Sequence, residues 1–122
     1  MGKKILVVDD ETDILKVVSF RLAKKGYEVL EATDGPEALE IIKNKKPDLV
    51  LLDLALPTMS GYEVCKKVKE DEKLKHIPIL FLTASHVDDI QKKMKGYKAD
   101  GCLIKPFEPE DMLKKVEKFI GR

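Results

Sequence analysis

The chain has 122 residues, 43% hydrophobic and 37% charged, which fits one globular domain and excludes a disordered chain. The formal net charge of +1 supplies no global field, so neither nucleic acid nor a membrane is expected as a direct partner. No apolar run is long enough to span a membrane and no signal peptide opens the chain, so a cytoplasmic location is expected.

The first apolar run, Ile5-Leu6-Val7-Val8, reads as a buried strand and ends on Asp9-Asp10, with Glu11 and Asp13 close behind. Residues 12–25 then take helical period through Ile14, Leu15, Val18 and Leu22, up to the Lys25-Gly26 turn. A weaker run at 27–30 and the Asp34-Gly35-Pro36 turn precede a helix over 36–44 with Ala38, Leu39, Ile41 and Ile42. The third strand, 49–52, is again apolar and again ends on a carboxylate, Asp53. Pro57 and Gly61 mark a loop before a helix over 62–69, and 79–82 form a fourth strand leaving at Thr83-Ala84-Ser85. A helix over 87–95, a fifth strand at 102–104, the exit Lys105-Pro106-Phe107 and a helix over 109–120 complete the chain.

Short apolar runs alternating with helices predict βαβ units and a parallel sheet. Runs without polar alternation suit strands covered on both faces. The expected architecture is α/β: one doubly wound, five-stranded parallel sheet, flavodoxin-like, with strand order 2-1-3-4-5.

In such a sheet the ligand site lies beyond the carboxyl ends of the strands, at the switch in strand order. Asp9, Asp10 and Asp53 would converge there. Two like charges about 4 Å apart repel by about 1 kcal/mol in water and about 4 kcal/mol near a protein surface. A hard cation bound by oxygens would relieve that, so Mg²⁺ or another hard divalent ion such as Mn²⁺ is the expected cofactor. Capping of the next helix by Asp10 or Thr12 would explain one acid, not an adjacent pair plus a third. Thr83 adds a hydroxyl and Lys105 an ammonium at the same sheet edge, as a phosphoryl group would require. Cys65 and Cys102 lie 37 positions apart with no metal-type spacing, and read as reduced structural thiols.

From Lys3 to about Phe119 the chain resembles a response-regulator receiver domain of the CheY-like superfamily. The motifs that carry the resemblance are Val8-Asp9-Asp10, Leu52-Asp53, Leu82-Thr83-Ala84 and Lys105-Pro106-Phe107, matched in order and spacing. The resemblance implies phosphotransfer to Asp53, the nucleophile, from a phosphohistidine on a sensor histidine kinase or histidine phosphotransfer protein. It implies a metal site of Asp9, Asp10, Asp53 and the Ala55 carbonyl, with Lys105 neutralising the transferring oxygens. Thr83 would respond to the phosphoryl group and reshape the face around strand five and helix four for a downstream protein target. A cis bond at Lys105-Pro106 is also implied. Residues 1–122 are expected to form the receiver, without an output domain.

Three departures qualify these expectations. Cys102 stands where many family members carry a rotating aromatic switch, so signalling through smaller packing changes is expected. Lys98-Ala99 replaces a common Gly-Ala, so either the fourth helix ends early or Lys98 takes a positive φ. Ala55, two past the phosphoacceptor, neither holds nor blocks a hydrolytic water. The same Ala55 argues against a haloacid-dehalogenase-type phosphatase, which needs an acid there. A flavodoxin-like cofactor binder would need a Ser/Thr/Gly-rich loop after strand one, where only acids stand. A degenerate receiver acting as a binding module is the remaining alternative. Finally, Val17 and Phe20 fall outside the apolar stripe of helix one; with Pro106 and Phe107 they are the expected anchors for the partner that carries the histidine.

Overall fold

The computed structural model describes residues 2–84 and 87–120, with the side chains of Val87 and Asp88 left aside. Its elements, in chain order, are β1 (Lys4–Val8), α1 (Thr12–Lys24), β2 (Glu28–Ala32), α2 (Gly35–Lys45), β3 (Leu49–Asp53), α3 (Gly61–Glu70), β4 (Ile79–Thr83), α4 (Val87–Tyr97), β5 (Gly101–Ile104) and α5 (Pro109–Ile120). The strands form one parallel sheet in the order β2-β1-β3-β4-β5. This is the doubly wound fold the alternation of periods predicts.

Alternate residues of the central strands feed two cores. Leu6, Val8, Val50, Leu52, Ile79 and Phe81 pack with Ala38 and Ile42 of α2 and Val64 and Val68 of α3. Ile5, Val7, Leu49, Leu51, Leu80 and Leu82 pack with Leu15, Val18 and Leu22 of α1 and Met112, Val116 and Ile120 of α5. Each fully buried aliphatic side chain contributes about 1.5–3 kcal/mol of transfer free energy. That is why β1, β3 and β4 show no polar alternation.

Strand β2 differs from its expected span of 27–30. It sits at the sheet edge, with Glu28 and Glu31 exposed, and runs on to Ala32 because each residue finds a partner on β1, ending at Val8↔Ala32. Its apolar signal is diluted because an edge strand has less to bury.

Among the described residues, side chains cap two helix starts. The Glu37 N–H donates to Asp34 Oδ1, and the Glu63 N–H donates to Ser60 Oγ. Helix α1 is not capped in this way: its first flanking residue is Glu11, with no side-chain cap, so neither Asp10 nor Thr12 serves that purpose. Helix α4 runs past its expected end to Tyr97, and Lys98 takes the positive φ, at 61°. The Lys105-Pro106 bond is cis.

Gly61 brings the start of α3 against the end of β3. A Cβ there would collide with the Asp53 carbonyl oxygen and crowd Leu54 Cα at 2.9 Å. The Gly61 N–H instead donates to the Leu54 carbonyl at 3.1 Å. A residue without a side chain is what lets the loop close this tightly over the strand exit.

Candidate phosphoacceptor and metal site

Register brings the acids together. Val8 pairs with Leu52, so the residues after them, Asp9 and Asp53, leave adjacent strands side by side. Thr83 pairs with Ile104, and the Lys105 N–H donates to the Thr83 carbonyl at 2.7 Å. Four strand ends thereby present Asp9, Asp53, Thr83 and Lys105 on one edge, with Asp10 following Asp9.

Asp9 is fully buried, Asp53 is 5% exposed, and Asp10 is exposed. One carboxylate oxygen from each lies within 4.8 Å of the others. Both Asp9 oxygens are engaged: Oδ1 accepts from the Glu11 N–H at 2.9 Å and Oδ2 from Lys105 Nζ at 2.9 Å. Lys105 Nζ lies farther from Asp53 Oδ2, at 3.6 Å, and from Glu11 Oε1, at 3.5 Å. Its direct partner in this arrangement is Asp9, because a carboxylate without solvent needs a cation most.

These neighbours set the protonation of the site. Burial, with the charge and hydrogen bond of Asp9, pushes the Asp53 carboxyl up to about 6, against the Ala55 N–H and Lys105, which favour ionisation. Burial pulls the Lys105 ammonium down, but Asp9, Asp53 and Glu11 together hold it above its ordinary value. An acid this reluctant to ionise, beside two more, is a site short of positive charge. All donors are hard oxygens, the chemistry that suits a magnesium-class ion.

The cleft over Asp53 measures about 540 Å³, and its lining includes Asp10, Ala55, Thr83 and Lys105. Ala55 is exposed at its rim and donates its N–H to Asp53 Oδ1 at 3.2 Å. Thr83 is buried at 6% exposure on the cleft wall. Cys102 lies elsewhere. It is half-buried and lines a groove of about 600 Å³ between α4, β5 and α5, where its carbonyl accepts from Lys115 Nζ at 2.6 Å. Thr83 and Cys102, both expected in the switch, therefore face different cavities.

The expected docking residues converge in part. Val17, Pro106 and Phe107 line one apolar groove of about 560 Å³ between α1 and the segment joining β5 to α5. Phe20 is exposed on α1 but does not line that groove.

Sequence reasoning passed over Tyr62 and Lys93, which line the far wall of the cleft, and gave Glu11 no role. The acid run after β1 could have pointed to Glu11. Nothing in the local pattern distinguishes Lys93 from the other lysines of its helix.

No helix among the described residues is long and apolar enough to cross a membrane. Residues 5–117 match the family described as response regulator receiver domain. The chain is 41% identical to the alkaline phosphatase synthesis transcriptional regulatory protein PhoP of Bacillus subtilis, over 100% of this chain and 50% of that protein. It is 40% identical to the phosphate regulon transcriptional regulatory protein PhoB of Pseudomonas aeruginosa, over 100% and 53%. The chain thus spans about half the length of these curated relatives. Among solved structures, the chemotaxis protein CheY4 of Vibrio cholerae superposes with a TM-score of 0.92 at 37% identity, covering 98% of this chain and 99% of that one. The receiver domain of a Pseudomonas aeruginosa sensor histidine kinase, solved with magnesium coordinated in its active-site cleft, gives 0.91 at 26% identity with full coverage of both chains. With its fold, its strand-end acids and a family match over nearly its whole length, the chain belongs to the receiver domains of two-component response regulators.

Proposed function

We propose that residues 1–122 act as a phosphoacceptor receiver and that Asp53 takes the phosphoryl group. The observation that carries this reading is the crowding of Asp9, Asp10 and Asp53 oxygens within 4.8 Å, with Lys105 Nζ 3.6 Å from Asp53 Oδ2. A carboxylate oxygen of Asp53 attacks the phosphorus of a phosphohistidine. The new O–P bond forms as the P–N bond breaks, and the electron pair of that bond returns to the imidazole. The product is an acyl phosphate on Asp53 and a free histidine on the donor.

Asp9, Asp10, Asp53 and the Ala55 carbonyl would hold Mg²⁺, which supplies charge neutralisation to the transferring oxygens when bound. The magnesium in the related kinase receiver supports this assignment. Lys105 exchanges part of its contact with Asp9 for the phosphoryl group, and the Thr83 hydroxyl turns toward the same oxygens. With Cys102 in place of an aromatic ring, the change reaches the α4–β5–α5 face through repacking around β5, where a downstream protein binds. The donor, a sensor histidine kinase or a histidine phosphotransfer protein, rests in the groove of Val17, Pro106 and Phe107.

Incubation with acetyl phosphate and Mg²⁺ should add one phosphoryl group, located on Asp53 by mass spectrometry. The group should be absent from Asp53→Asn and from wild type in excess chelator. Persistent labelling of the Asn variant would place the acceptor elsewhere.

A further inference from the structure

The wall of the cleft opposite α1 carries a feature the proposed chemistry does not use. Lys93 of α4 lines the cavity, and its Nζ lies 5.3 Å from the centre of the Tyr62 ring, within cation–π range. Tyr62 is itself fixed. It meets Phe81 edge-on at 5.5 Å between centroids and Tyr97 at 4.9 Å with an interplanar angle of 30°. The ring therefore lies beneath an exposed lysine on the cleft wall. Lys105 is committed to three carboxylates, whereas Lys93 forms no ion pair among the described residues.

We propose that Lys93 is a donor-specificity residue, the electrostatic contact through which small, strongly anionic phosphoryl donors reach Asp53. The inference rests on Asp53 being the acceptor. Four carboxylates, Asp9, Asp10, Glu11 and Asp53, gather at the cleft and only three of them reach Lys105, so an incoming dianion is repelled unless further positive charge meets it. A divalent cation answers part of that repulsion, and Lys93 adds a cation on the open wall formed by the start of α3 and by α4. A protein donor seated in the α1 groove would approach from the other wall and deliver a phosphohistidine already held by its own surface. Small-molecule and protein donors thus make different demands on Lys93.

The test compares acetyl phosphate, a dianion at neutral pH, with the less charged phosphoramidate, on wild type, Lys93→Gln and Lys93→Arg in saturating Mg²⁺. Lys93→Gln should slow labelling by acetyl phosphate about three- to fivefold, the effect of one partly screened ion pair. It should slow phosphoramidate less, and it should flatten the ionic-strength dependence of the acetyl phosphate rate. Lys93→Arg should keep the wild-type rate. Melting temperatures of the three proteins should agree, since Lys93 is exposed. Equal acetyl phosphate rates for wild type and Lys93→Gln, or equal slowing with both donors, would overturn the role of Lys93 while leaving Asp53 as acceptor. Failure to label Asp53 in wild type would overturn both.

Discussion

The two ends of the sheet hold half-buried lysines in opposite circumstances. At the amino-terminal end, Lys69 of α3 is 9% exposed and spends its three donors on Asp100 Oδ2 at 2.8 Å, the Ile77 carbonyl at 2.8 Å and the Lys75 carbonyl at 3.1 Å. Asp100 in turn accepts from the Ile79 N–H at 2.8 Å. Charge and hydrogen-bonding capacity close on themselves, tying α3, β4 and the turn before β5 into one knot. At the carboxyl-terminal end, Lys105 faces Asp9, Asp53 and Glu11 together, and the Asp53 carboxyl is pushed up to about 6. One end is balanced; the other carries surplus negative charge. A balanced pair reads as structure. A surplus that folding leaves unneutralised reads as a place kept for a ligand, since it costs stability that another arrangement would recover.

Breaking the balanced end should have the largest effect on the fold. Lys69→Ala removes three hydrogen bonds from a cation and leaves two loop carbonyls and Asp100 without it. The expected loss is about 2 kcal/mol in chemical denaturation. Labelling of Asp53 below the melting range should be little changed. A loss under about 1 kcal/mol would mean that the knot is only a surface contact.

At the unbalanced end the sign reverses, and removing a charge should stabilise. The Asp53 carboxyl moves from an ordinary 3.8 to about 6 on folding, mainly through burial. An acid held higher in the folded state favours folding while protonated. Its contribution is complete below about 3.8 and is lost as pH rises through about 6. In chelator, wild type should therefore lose about 2 kcal/mol relative to Asp53→Asn between pH 4 and pH 8. Mg²⁺ should offset that loss in wild type, contributing about 2.7 kcal/mol at a hundredfold excess over its dissociation constant. Parallel stability curves for the two proteins across this range would show that the acids are not in conflict.

These two ends were unequally legible in the sequence. The acid site could be read because each contributor follows an apolar run directly, so strand order alone places Asp9, Asp53, Thr83 and Lys105 on one edge. The Lys69–Asp100 knot could not. Its partners are 31 positions apart, and Lys69 is one of many lysines on helices whose charges otherwise face water. Its distinction is contextual, arising only when the loop carbonyls of Lys75 and Ile77 turn toward it. The same limit hid the pairing of Lys105 with Asp9 in preference to Asp53. Sequence shows which groups share an edge, but the closest contact follows from which carboxylate is fully dry. The left-handed Lys98 was legible only as one of two alternatives, because a helix end depends on how the chain must turn into β5.

The smallest effect on the fold, and the most selective on function, should come from α1 beside the acid end. Leu15, Val18 and Leu22 fill the core, while Val17 is 56% exposed and Phe20 63%, the exposed large hydrophobic residues of the described chain. The Phe20 ring lies under Lys24 Nζ at 5.6 Å, a solvent-side contact. Val17 shares the groove with Phe107, whereas Phe20 stands outside it, so the two side chains separate two versions of docking. If a partner helix fills the groove alone, Val17→Ala should slow phosphotransfer from a histidine phosphotransfer protein and Phe20→Ala should not. If the partner also spreads across the exposed face of α1, both should slow it. Either variant should change stability by less than about 0.5 kcal/mol and leave acetyl phosphate labelling at the wild-type rate, since neither side chain lines the cleft. Equal slowing with protein and small-molecule donors would mean that these side chains act through the fold, and docking on α1 would be wrong.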